Sequence, residues 1–280
     1  MLAEQMTASS ITPPRSADDL LRLLVIDIET TGLDVNSHEL IGLAAMLVEV
    51  QKSTGCLIRV LERYDGLQEP TQELSPWAAD ILGYDHSALV GKQFDHQRIT
   101  ELVQGCDLVV AHNAHFDRPF VERVITAFQG RQWVCSLHDI DWWSLEGQEA
   151  ASVEKLALRL GHKMDSFTPM STVEAMVHIL ASPLPVTKQT GFGVLISASK
   201  GPFIKFVIPD PEQKLETVML EYSIEFSEKD RAWTTVLWRE DALAFESELV
   251  DLAVFDRRVR AFQVQELDPL LRFSSASGGY

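Results

Sequence analysis

Residues 20–33 read LLRLLVIDIETTGL. The run from Leu23 to Ile26 is wholly apolar, carboxylates then alternate with isoleucine, and Thr-Thr-Gly bounds the stretch. That pattern suits a buried strand entering a turn. Asp27 and Glu29 lie two apart on it, so their side chains share one face, while Ile26 and Ile28 point the other way into the core. Neighbouring carboxylates repel, and at least one holds its proton more tightly unless a cation sits between them. A hard divalent ion, Mg²⁺ or Mn²⁺, resolves the repulsion because it takes oxygen ligands and keeps several waters. An acidic pair on a strand is more often solvated surface. Here the surrounding apolar run argues otherwise, since a charge beside a core strand needs a partner.

Working outward, HELIGLAAMLVEV (38–50) and CLIRVLERY (56–64) read as two more strands, with QKSTG supplying the hairpin turn between them, so that the chain opens as a meander. SPWAADILGYDHSALVG (75–91) mixes helix and loop, and QRITELVQGCD (97–107) has helical spacing in Ile99, Leu102 and Val103. DLVVAHN (107–113) is a short buried strand. HFDRPFVERVITAFQG (115–130) predicts one helix with Phe120, Val121, Val124 and Phe128 on a single face. RQWVCSLHDI reads as another strand, and SVEKLALRLG (152–161) and STVEAMVHILAS (171–182) as helices. The expected fold class is α/β: a mixed sheet with helices packed over it.

Composition sets outer bounds. The 280 residues divide, on this reading, into a loose arm (1–18), a main domain (19–184), a linker (185–191) marked by PLPVTKQTG, a small α+β module (192–273) and a tail (274–280). No apolar run reaches the roughly 20 residues of a membrane-spanning helix, so no membrane role is expected. Cys56, Cys106 and Cys135 form no C-x-x-C pair, which points away from disulfides and zinc and towards a reducing, cytoplasmic setting. Forty-one acidic against 24 basic residues leave a net charge of −17. The molecule as a whole therefore repels phosphate backbones, and contact with nucleic acid has to be local.

A second stretch, AHNAHFDRPF (111–120), places His112 and Asn113 at a strand end and Asp117 in the first turn of a helix. Alone, Asp117 is an ordinary complement to a helix dipole. Taken together, DIETTGL and HNAHFD resemble the DEDD superfamily of 3′–5′ exonucleases in its histidine-bearing, DnaQ-like branch, across residues 20–184. The resemblance implies an RNase H-like fold. It implies Asp27, Glu29 and Asp117 as catalytic metal ligands for Mg²⁺ or Mn²⁺ in a two-metal hydrolysis. It also implies that Thr30, Thr31, Gly32, Leu33, His112 and Asn113 grip a single-stranded nucleic acid at its 3′ end, with Leu33 wedging against the terminal base. Core filling by Leu33 is the alternative.

The family's third motif, H-x-A-x-x-D, supplies a general base and a fourth acidic ligand. Anchored by LALRLG before it and EAMVHILASPLP after it, the register sets Phe167 at the histidine and Thr172 at the aspartate. Phenylalanine cannot accept a proton from water, and threonine offers a neutral oxygen in place of an anion. Glu174 and His178 fall about 200° and 240° further round the helix, off the face of Thr172. His162 and Asp165, in GHKMD, define a disfavoured alternative register. The leading expectation is a nuclease-fold protein that holds a 3′ end and cuts weakly or not at all. An active exonuclease with a displaced base, and a regulatory subunit that meets a protein partner through its C-terminal module, remain as rivals. In that module, KDRAWTTVLW (229–238) weakly resembles an appendage of DnaQ-like proteins; Trp233 there either fills a small core or stacks a base with Arg231.

Overall fold

The computed structural model describes residues 17–142, 152–164, 166, 168–210, 212, 214–216, 224–227, 231–251, 261–270 and 272–273. Its first sheet is organised around β1 (Leu20–Thr30), which has neighbours on both sides. β2 (Leu40–Gln51) and β3 (Leu57–Leu67) follow as an antiparallel meander. On the other side β4 (Leu108–Ala111) and β5 (Trp133–Cys135) run parallel, giving the order β3-β2-β1-β4-β5. Every residue of β2 is buried, as expected of a strand covered on both faces. The β2–β3 hairpin closes at Gly55, whose positive φ of 69° suits a residue without a Cβ, and Asp19 accepts hydrogen bonds from Ser53 and Gln51 beneath it.

Between β3 and β4 lie α1 (Pro76–Leu82) and α2 (His96–Gln104), and α3 (Ala114–Val124) joins β4 to β5. The single long helix expected over 115–130 is shorter: it stops at Val124, Ile125 is extended, and Thr126–Phe128 forms a 3-10 turn. Val124, Ile125 and Thr126 are three β-branched residues in succession, which crowd the preceding helical turn. Val124 is consequently 39% exposed, whereas Phe128 still reaches the core against Trp133.

α4 (Val153–Arg159), α5 (Pro169–Ala181) and α6 (Gly191–Ala198) then share one apolar cluster with β1 and β2. Leu23, Val25, Met46 and Val48 of the strands pack there with Val173, Met176, Leu180, Phe192 and Leu195 of the helices. Burial of such side chains contributes about 1.5–3 kcal/mol each. Because α6 belongs to this core, the boundary read at 185–191 moves. Residues 184–190 form a tight turn, with Leu184 N–H donating to Gln189 and Lys188 N–H to Leu184, and the compact units divide between Ser199 and Lys200.

The second unit carries an antiparallel sheet of β6 (Phe203–Pro209), β7 (Glu225–Ser227), β8 (Ala232–Trp238) and β9 (Gln263–Leu267), ordered β7-β8-β6-β9, with α7 (Arg239–Asp251). Four strands replace the three that FIKFVIPD, YSIEFSE and RAWTTVLW predict, because β9 is a polar edge exposed at all positions except Leu267. The stretch PEQKLETVML (211–220) predicts a helix, and most of it lies outside the described residues. Trp233 is 4% exposed within a cluster with Phe206, Ile208, Phe245 and Leu249, and its indole N–H donates to buried Asp210. It fills the core and is not presented for stacking a base.

Candidate active site

The sheet register sets the site out. Asp27 of β1 stands opposite Ala44 of β2, and Ala44 opposite Asp65 of β3; one step on, Glu29 faces Gly42. A Cβ on Gly42 would meet Glu29 Oε2 at 2.9 Å, so the glycine makes room for that carboxylate. Asp117 enters from the first turn of α3, which begins at Asn113 in the left-handed conformation (φ 86°). Asp117 is 4% exposed.

α5 brings the third-motif position to these acids. Thr168 caps the helix, its hydroxyl accepting from Ser171 N–H, and Pro169 follows at a position where no amide hydrogen is needed. Val173, Met176 and Leu180 hold the helix against the sheet, and Arg63 on β3 pairs with Glu174 at 3.5 Å. In this setting the Thr172 hydroxyl donates to Thr168 O at 3.3 Å and sits beside the Asp27 carboxylate, whose proton affinity it helps to hold down. Phe167 and Asp165 lie outside the described residues. The groups weighed as substitutes are engaged elsewhere: Glu174 with Arg63, and His178 in a stack with His162 at 4.5 Å.

The electrostatics are those of crowded, partly dehydrated acids. Burial, and then the charge of Glu29, push Asp27 up to about 7, against the opposing hydrogen bonds from Ile28 N–H and Thr172. Burial also raises Glu29; the Tyr84 hydroxyl counters this and the charge of Asp65 adds to it. Asp117 is raised well above the ordinary carboxylate range by burial and by Asp27. Among the described residues no cation contributes to these shifts. The donor set is all hard oxygen with unbalanced charge, which fits Mg²⁺ or Mn²⁺. Among the described residues, no three such groups are already gathered closely enough to form a cage.

The turn after β1 is internally braced. Thr30 Oγ1 donates to Gly32 O, Thr31 Oγ1 accepts from Glu39 N–H, and Glu39 in turn takes the amide and hydroxyl of Thr71. A Cβ on Gly32 would lie 2.4 Å from the His38 ring. Leu33 projects from this brace and is 75% exposed, so it does not fill the core. His112 Nδ1 lies 2.8 Å from Ser136 Oγ, and Asn113 serves as the backbone pivot that starts α3. Two site neighbours were not anticipated. Tyr84 donates its hydroxyl to Glu29 Oε2, and Asp65 adds a further negative charge beside Glu29. The strand alternation of β3 could have pointed to Asp65; nothing in the sequence marks Tyr84.

Residues 24–163, half of the chain, match the exonuclease family model of the RNase T type. The chain belongs to the DnaQ-like 3′–5′ exonuclease family. The match spans Asp27, Glu29 and Asp117 and ends ahead of α5. The PolC-type DNA polymerase III of Thermotoga petrophila is 29% identical over 156 residues, 55% of this chain and 10% of that one. The DNA polymerase III subunit epsilon of Aquifex aeolicus is 29% identical over 120 residues, 41% of this chain and 56% of that one. The chain thus spans only part of these curated relatives. A solved structure, E. coli exonuclease I in complex with a dA16 oligonucleotide, shares the RNase H-like fold with a TM-score of 0.52 and 14% identity, over 78% of this chain and 63% of that one.

Proposed function

We propose that this exonuclease-family protein binds the 3′ end of a nucleic-acid strand and hydrolyses it weakly or not at all. The observation that carries the reading is that α5 sets the neutral hydroxyl of Thr172 beside Asp27, in the place where the resemblance calls for a fourth carboxylate. A hydroxyl there neutralises nothing, so the affinity for a divalent ion falls. Asp27, Glu29 and Asp117 would hold Mg²⁺ or Mn²⁺. When bound, such an ion supplies Lewis acidity and a more acidic water. The chain's own residues do the remainder: the braced Thr30–Gly32 turn presents Leu33 to the terminal base, and Asn113 sets the start of α3 that buries Asp117. With Phe167 at the general-base position, no imidazole from the third motif is available to take the proton of the attacking water, a contribution of typically ~10²–10⁴ in rate.

The retained trio of acids favours a second reading, an active exonuclease with a different base, and one assay separates the two. End-labelled single-stranded DNA and RNA are incubated with Mn²⁺ and protein, with Asp27→Ala as the control against contaminating nuclease. DNA is the first choice, because exonuclease I, which shares the fold, holds dA16. The expected result is binding that prefers a free to a blocked 3′ end, with little shortening. Rapid degradation abolished by Asp27→Ala would establish the active reading instead.

A further inference from the structure

Tyr84 reaches the site by a route laid down in the main-domain core. α1 ends at Gly83, which is left-handed (φ 74°) and returns its N–H to Ala79 O, so the chain reverses immediately before Tyr84. The Tyr84 ring packs with Leu67 and Leu82 against the cluster of Ile41, Leu74, Ala78 and Leu89. An apolar cluster therefore fixes where its hydroxyl points. That hydroxyl donates to Glu29 Oε2, the same oxygen that lies over the open Cα of Gly42.

We propose that Tyr84 is a positioning residue that fixes the Glu29 carboxylate between its own hydroxyl and Gly42, committing Oε2 and leaving Oε1 as the oxygen offered to a divalent cation. The inference rests on the metal-holding reading given above. Asp65, in register with Ala44 and so with Asp27 across the sheet, sets a further like charge on this side of the site, and a neutral O–H holds Glu29 against it without a competing positive charge.

The test is Mn²⁺ binding by the full chain, followed by loss of the free-ion electron paramagnetic resonance signal. Tyr84→Phe keeps the ring and removes only the donor, and Tyr84→Leu keeps apolar packing should the first variant perturb folding. Both are expected to weaken Mn²⁺ binding roughly 10–100-fold, as loss of an outer-shell partner does. A role confined to packing would lower the thermal midpoint and leave affinity alone. In a Glu29→Gln background, removing the Tyr84 hydroxyl is expected to have no further effect. Wild-type protein that binds Mn²⁺, together with a Tyr84→Phe variant of equal affinity or an equal loss in the Glu29→Gln background, overturns the positioning role alone. Wild-type protein that takes up no Mn²⁺ overturns the metal-holding reading and this inference with it.

Discussion

Replacing Asp27 by asparagine should make the metal-free protein more stable at pH 8. The carboxyl is raised from 3.8 to about 7, chiefly by burial and then by Glu29. A raised carboxyl means that the folded state binds more protons than the unfolded one, so stability falls as pH climbs from 3.8 towards 7 and the full cost is present above that window. The corresponding free energy is at most about 4 kcal/mol, an upper bound because Asp27, Glu29 and Asp117 titrate together. Asparagine removes the charge and keeps a side-chain oxygen of similar shape beside Ile28 N–H. We therefore expect a gain of about 2–4 kcal/mol, or roughly 5–15 °C for a unit of this size. Thermal unfolding in EDTA across pH 4–8.5 measures it: the wild type should gain stability on acidification, and the gap between the two proteins should narrow as pH falls. Added Mn²⁺ should stabilise the wild type in proportion to the logarithm of its concentration and have much less effect on the variant. A less stable Asp27→Asn at pH 8, or a wild type indifferent to pH over this range, would refute the account of the site as a buried, uncompensated acid cluster.

Other outcomes follow from the same geometry. Leu33→Ala should alter stability by less than about 0.5 kcal/mol, because the side chain is 75% exposed, yet weaken binding to a free 3′ end in fluorescence anisotropy. Phe167→His combined with Thr172→Asp should raise hydrolysis by roughly 10²–10⁴ over the parent; a folded double variant with no gain would place the defect elsewhere in the site. Glu174→Ala removes a partly exposed partner of Arg63, so it should cost under about 1 kcal/mol and leave Mn²⁺ affinity unchanged, whereas a large drop in affinity would mark Glu174 as a substitute ligand.

The sequence made β1 legible because three signals coincide there: an apolar run, alternation of acids and isoleucines, and a turn. The approach of Thr172 to Asp27 was legible by position, since helical patterns on both sides set where α5 starts. The break in α3 depends on steric crowding among Val124, Ile125 and Thr126, a local cost that apolar periodicity does not register. β9 was hidden for the opposite reason, as an exposed edge strand has little hydrophobic pattern to betray it. Tyr84 escaped because its role is assigned by tertiary packing, 55 residues away from Glu29.

That last case bears on how an acid cluster works in a chain of net charge −17. A phosphate approaching this site meets Asp27, Glu29, Asp117 and Asp65, so Coulomb repulsion opposes a strand end unless a cation is present. Under the function proposed above, cation and strand would be thermodynamically linked ligands, each improving the site for the other. This chain carries the Thr172 hydroxyl beside Asp27 and the Tyr84 hydroxyl on Glu29. In the reading proposed above, the missing fourth anion would reduce both repulsion and metal affinity, and the Tyr84 contact would restore only the direction in which Glu29 is held. The function proposed above then amounts to a site that would hold a strand end and, without the fourth charge and the base, would activate water only slowly.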